Sequence, residues 1–400
     1  MISAERPENE LLICVARPAL EVAQRERVRL LLRGDLDWGY LKAMAHRHSV
    51  IPLVYYHVNA LCPEAVPSQV LSQLRHRNDE NTRQSLFLTG ELLKLMDLLK
   101  EQGIQAIPFK GPTLALRAYG DVGLRQFGDL DILVHKGDVF KVKELLAGEG
   151  FKPTPELTST QEAALLRFDC AYNFGNDKNV LFDVHWNFAA PYFSFEFDVD
   201  RLWERIEPMT INGRQVPGLS PEDLLLALCL HGATHFWERL GWIGDVAGLI
   251  DRRRDIDWEL LLNNATRQGS RRILSLGLSL ASDLLGASLP PEVLRTVQKD
   301  PVVKTLAEQV QQRLFAQDLP ISGILDGALL QLRMRERRRD RLRSSLRLAA
   351  TPRVYDWMFL PLPDRLFFLY YLLRPLRLAG KYGAKLLQGA QPVENPVKKQ

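Results

Sequence analysis

From about Glu10 to Lys100, apolar residues recur at three- and four-residue spacing, as in Leu92, Leu95, Met96 and Leu99. That is the period of a helix with one buried stripe. Strand-like alternation is scarce, so the stretch predicts mostly helix, ending near Gly103, a residue suited to a helix C-terminus. The pattern then changes. Ile104 to Phe109 is short and largely apolar, which predicts a strand. Lys110-Gly111-Pro112-Thr113 follows, with Pro112 placed for the first turn of a helix running through Leu114, Leu116 and Ala118 to Tyr119-Gly120. Asp129-Leu130-Asp131-Ile132-Leu133-Val134 predicts a second strand, and its alternation sets both acids on one face. A helix after Gly137-Asp138 extends to Leu146.

Arg167 to Phe174 and Val180 to Trp186 are separated by the turn formers Gly175-Asn176-Asp177-Lys178-Asn179 and predict a hairpin. On its second arm Asp183 and His185 share one face, and Phe182, Val184 and Trp186 the other. A loop from Asn212 leads to Ser220-Pro221-Glu222-Asp223, a helix start with Ser as cap, Pro at the first position and acids in the first turn. The expected class is α+β. A small mixed sheet over 101–212 is flanked by helical regions over 1–100 and 213–390, with a disordered tail over 391–400.

Composition narrows the class. With 46% hydrophobic and 25% charged residues the chain reads as an ordinary globular protein. A formal charge of +4, from 52 basic and 48 acidic residues, gives little ground for attraction to nucleic acid. Cys14, Cys62, Cys170 and Cys229 are far apart and form no C-x-x-C pair, so they read as buried thiols. The N-terminus shows no secretory pattern and the cytoplasm is expected. The apolar stretch Phe359 to Leu378 is broken by prolines and charges, so no spanning helix is expected.

The strongest chemical signal is Asp129-x-Asp131 after a strand–Gly–helix unit, with Asp183 arriving on a later strand. Two carboxylates on one strand face can share divalent cations, which neutralise charge as pyrophosphate leaves. Lys110, at a strand end beside the Gly111 turn, is well placed for a phosphate, and Arg125 is either a phosphate contact or an ion-pair partner. Lys110-Gly111, Tyr119-Gly120-Asp121, Arg125, Asp129 to Val134, Phe182-Asp183-Val184-His185-Trp186 and His231-Gly232-x-x-His235 together resemble the uncharacterised nucleotidyltransferase family of bacteria, within the polymerase-beta-like superfamily.

The resemblance spans roughly residues 90 to 255. It implies a mixed sheet with Mg²⁺ or Mn²⁺ held by Asp129, Asp131 and Asp183. It also implies transfer of a nucleoside monophosphate from an NTP to an unidentified small-molecule, peptide or protein acceptor, with release of pyrophosphate. At the turn the chain departs from the superfamily, which mostly has Gly-Ser or Gly-Gly about ten residues before the acids to hold the nucleotide phosphates; here Gly111 stands 18 residues before Asp129, and the resemblance gives the phosphate to Lys110 and Gly111 and the missing hydroxyl to Thr113. The alternative is therefore a catalytically inactive nucleotide-binding accessory protein in peptide or surface-polysaccharide biosynthesis.

His231 and His235 lack the Glu that a zinc metalloprotease places after its first His. With Glu238, Trp242 and Asp245 they follow a four-three spacing and share one face if the helix continues past Gly241, which makes His185, His231, His235 and Asp245 candidates for the pocket wall. Between Arg333 and Arg347 eight arginines face only Glu336 and Asp340. This is either a solvated helix or, with the aromatic residues that follow, a surface for the anionic inner face of a membrane. Nucleic acid is disfavoured because no recognition helix or stacking platform accompanies the arginines.

Overall fold

Alternation along Leu130–Val134 decides the architecture. Leu130, Ile132 and Val134 pack into one apolar core and Leu133 into another, so the strand is buried on both faces. The computed structural model describes residues 6–193, 195, 197–316 and 330–388 of the chain. The expected tail over 391–400 lies outside the described residues.

The main sheet comprises β1 (Ala106–Pro108), β2 (Leu130–Val134), β3 (Lys152–Pro153), β4 (Ala171–Gly175) and β5 (Leu181–His185), in the order β1-β2-β5-β4-β3. It is mixed: β2 and β5 run parallel, and the other pairs are antiparallel. Pro108 is tolerated because β1 is an edge strand, where a missing N–H costs least. The connection from β2 to β5 passes through the helices Val139–Gly148 and Ser159–Phe168. The second of these takes Arg167 and Phe168 from the strand expected there. Thr158 and Gln161 form a capping box at its start, a local signal that outweighed the β-like composition.

Helices fill residues 7–101, as the periodicity requires, ending in one of 34 residues, Ser68–Glu101. Residues 207–218 form an additional hairpin, β6 (Glu207–Ile211) and β7 (Arg214–Gly218), whose turn and second strand take up most of the loop expected from Asn212 to Ser220. Asn212 and Gly213 both take positive φ, the geometry of a two-residue hairpin turn.

The largest core joins Leu11, Leu12 and Val15 from the N-terminal helices to Leu225, Ile243 and Leu274 from later ones, and takes in Ile107, Phe109 and Leu133 from the sheet. The opposite sheet face packs with Leu92, Leu99, Val142, Trp357 and Tyr370. The acidic face of the sheet therefore looks toward the helices that follow residue 220.

The helix expected to carry a continuous histidine stripe is instead two. Pro221–Thr234 stops, Phe236 and Trp237 take positive φ, and Leu240–Arg252 begins a new axis. Trp237 folds back onto Gly232, where a Cβ would stand about 2.5 Å from the indole ring. The glycine of His-Gly-x-x-His thus makes room for the buried tryptophan.

Candidate functional site

Parallel pairing sets Asp131 directly opposite Asp183, and Leu133 opposite His185. Because side chains alternate, Asp131, Asp183 and His185 emerge on the same face. One ligand atom from each lies within 4.8 Å of the others.

Asp131 is the buried centre, 2% exposed. Its Oδ1 accepts from Lys110 Nζ at 2.8 Å and contacts His185 Nε2 at 3.0 Å. Asp131 Oδ2 and His185 Nδ1 are buried with no hydrogen-bond partner among the described residues. Burial alone would raise the proton affinity of Asp131, but the Lys110 charge and the His185 contact outweigh it and hold the carboxyl well below the usual range. Asp183 is shifted the other way, by burial first and the Asp131 charge second, and Asn173 donates to its Oδ1 at 2.5 Å. Asp129 lies at the exposed end of the acidic face, its carboxyl also pushed up by burial and by Asp131.

Lys110 stands where β1 turns into the short helix Gly111–Leu114. Gly111 has φ +54°, a left-handed conformation that a side chain would strain. Thr113 is buried, and its hydroxyl donates to the Lys110 carbonyl oxygen at 2.7 Å. Its proton closes the turn and is not directed at the acids. Arg125 is likewise committed: its Nε and Nη2 donate to the two Asp245 carboxylate oxygens at 2.8 and 2.9 Å, and the Tyr119 hydroxyl adds a third bond at 2.9 Å. Arg125 and Asp245 therefore form a buried brace between the acidic loop and the helix Leu240–Arg252.

His231, His235 and Trp242 form an aromatic cluster, with ring centroids 4.6 to 5.3 Å apart. Burial, followed by the charge of Lys110, drives the His231 proton affinity well down and holds His235 at about 4. Both rings are neutral near pH 7, and the Lys110 influence ties them to the acidic face.

Two contributors were not singled out from the sequence. Phe109 sets its ring edge-to-face against both His185 and Phe188, at 5.1 and 5.0 Å. Asn173 pairs directly opposite Asp183 in the β4–β5 register, so a hairpin centred on Asn176–Asn179 already implied it. Phe109 carried no comparable signal, because an aromatic residue at a strand end is ordinarily core.

A family model described as uncharacterised nucleotidyltransferase matches residues 34–286. No curated protein matches the sequence. Among solved structures, the chain is similar to an antigenic nucleotidyltransferase-like protein from Paracoccidioides brasiliensis. That pair is 16% identical over 55% of this chain and 92% of the other, with a TM-score of 0.31, too low for the likeness to carry structural weight.

Proposed function

Because the chain belongs to the uncharacterised nucleotidyltransferase family, we propose that it transfers a nucleoside monophosphate from an NTP to a hydroxyl-bearing acceptor in a reaction that depends on a divalent cation. The acceptor oxygen bonds to the α-phosphorus, the bond to the leaving pyrophosphate breaks, and the acceptor proton passes to a base.

The observation that carries this reading is the buried, unpartnered Oδ2 of Asp131 beside Asp183 and His185. A buried carboxylate oxygen without a donor is costly unless a cation or proton belongs there. Asp131, Asp183 and His185 would hold the cation, with Asp129 adding charge on the open side. A set of carboxylates plus imidazole suits Mn²⁺ better than Mg²⁺, which strongly prefers oxygen ligands. The bound cation would supply charge neutralisation for the phosphates.

The remaining roles fall to the chain's own residues. Lys110 is the cation nearest the acidic face and can trade its bond to Asp131 for a phosphate oxygen. Gly111 gives that lysine its approach, and Thr113 fixes the turn behind it. Neutral His231 and His235 offer hydrogen bonds without adding positive charge.

One observation favours a second reading, a nucleotide-binding accessory protein without turnover: the Lys110 ammonium is bonded to Asp131 and the Thr113 proton to the Lys110 carbonyl, so both expected phosphate donors are engaged. Incubation of the purified protein with labelled NTPs, Mn²⁺ or Mg²⁺ and lysate fractions separates the two. Cation-dependent pyrophosphate release with a labelled product supports transfer. Cation-dependent NTP binding without release across acceptor screens supports the accessory reading, and the absence of both removes the site.

A further inference from the structure

The C-terminal elements are amphipathic in the inverted sense. Along Arg338–Ala350, Asp340 and Ser344 are buried one turn apart, whereas Leu342 and Leu346 are exposed one turn apart. In Val354–Phe359, Asp356 is 4% exposed, but Tyr355 is 75% and Phe359 71% exposed. In the last helix, Tyr370–Gln388, Arg374 is 4% exposed and Leu372 and Leu376 face outward. Two of the buried polar side chains bond inward: Ser344 donates to the Tyr192 carbonyl, and Arg374 to the Leu348 carbonyl and to Asp356.

Among the described residues, eleven of the eighteen exposed large apolar side chains lie between Leu342 and Leu376. A water-facing module has the opposite pattern, and so dense an exposed apolar set marks an interaction surface. The aromatic residues that follow the arginines divide between core and surface, with Trp357 and Tyr370 among them. Both are buried in the core behind the sheet, and Met358, Phe359, Phe368 and Tyr371 remain on the outside.

Charge identifies the occupant. Residues 333–377 contain twelve arginines and four acids, a local charge of +8 where the whole chain carries +4, so the rest of the molecule is net negative. Arg335, Arg337, Arg341 and Arg347 donate to backbone carbonyls. Arg338, Arg339 and Arg365 are exposed beside the apolar side chains. Aliphatic and aromatic side chains interleaved with arginine suit the boundary between headgroups and acyl chains. No helix among the described residues is long and apolar enough to cross a membrane, so the contact is with one leaflet.

We infer that the outer face of residues 342–376 lies on an anionic lipid bilayer, with Tyr355, Met358, Phe359, Leu372 and Leu376 in the acyl boundary and the exposed arginines on lipid phosphates. The inference is independent of nucleotidyl transfer, since none of these residues belongs to the acidic site.

The full chain is mixed with vesicles of phosphatidylcholine alone or with added phosphatidylglycerol, and sedimented. Binding is expected to be stronger with phosphatidylglycerol and to fall with salt, as the screening length shrinks from about 10 Å at ~0.1 M to ~3 Å at ~1 M. Met358→Ser with Phe359→Ser should weaken binding to both vesicles roughly tenfold or more. Both positions are exposed, so the melting temperature should not move. Arg338→Gln and Arg339→Gln should remove only the phosphatidylglycerol-dependent part, roughly fivefold per arginine. The inference is overturned if the folded parent binds neither vesicle, or if the serine pair binds like the parent. It is equally overturned if ultracentrifugation shows a dimer that the serine pair dissolves and vesicles do not compete, because the face is then a protein interface.

Discussion

Replacing Asp131 and Asp183 separately by Asn should impair function alike and stability unlike. Asp131→Asn keeps the volume and removes the charge that faces Lys110 at 2.8 Å and His185 at 3.0 Å. Breaking a buried ion pair costs about 3–5 kcal/mol, and a charge-assisted hydrogen bond is worth about 1.5–3 kcal/mol. The Lys110 side chain is 15% exposed and can regain some water, which puts the change at the lower scale. With roughly 2–4 °C per kcal/mol for domains of 150–250 residues, a melting-temperature drop of roughly 3–12 °C follows. Asp183 is in the reverse situation, since burial and the Asp131 charge both disfavour its ionised form. Asp183→Asn removes that repulsion and should leave stability unchanged or raised, the signature of a group kept for function at some expense to the fold. Turnover should fall by roughly 100-fold or more in both, the scale of losing one preorganised electrostatic contact. Thermal melts with and without Mn²⁺, together with pyrophosphate release, measure all three effects. An Asp183→Asn protein that is as destabilised as Asp131→Asn, or that retains parental turnover, would refute the reasoning.

Arg125→Gln and Asp245→Asn should each cost about 3–5 kcal/mol, and the double variant little more than either alone; additive losses in urea melts would show that the brace is not a coupled pair. Gly232→Ala sets a methyl against the Trp237 ring and should lower stability by about 1–3 kcal/mol, read by thermal unfolding together with a change in tryptophan fluorescence. His48 is fully buried, accepts the Leu240 N–H on its Nδ1, and is held at about 4 by burial first and Arg47 second. The unfolded chain binds a proton near pH ~6.5 that the folded chain refuses until about pH 4, so stability is fully present above that window and is lost as pH falls through it, by about 3 kcal/mol at most. His48→Asn, which keeps an acceptor for Leu240, should flatten that slope in urea melts; an unchanged slope would discard the assignment.

The acid strand, the turn at Lys110-Gly111 and the second hairpin arm were legible because strand alternation alone puts Asp129, Asp131, Asp183 and His185 on definite faces. The contact between His185 and Asp131 needed the parallel register, which a single sequence does not reveal. The helical start at Ser220 was equally clear from its cap, proline and acids. The end of that helix was not, because the break after Thr234 depends on Trp237 reaching back to Gly232, a tertiary contact that overrides the four-three spacing. The hairpin over 207–218 was missed although Asn212-Gly213 is a turn dipeptide, since its strands carry prolines, arginine and glutamate in place of an apolar alternation. The arginine-rich stretch was read by its charge, whereas the distinction lies in burial: an arginine that donates to a carbonyl and one beside an exposed leucine have the same letter.

The pairing of β2 with β5 also has a bearing on folding order. His185 reaches Asp131 across 54 residues, and the Arg125–Asp245 brace spans 120. Contacts so distant along the chain form only after large loops have closed, which slows their appearance relative to the local helices. During synthesis the first acids emerge well before their partners, and the brace cannot close until the helix at 240–252 has left the ribosome. The nascent chain therefore presents folded helices early and a competent acidic centre late, and a fragment ending before residue 245 would hold the four site residues of the sheet without the clamp that fixes the loop ahead of them.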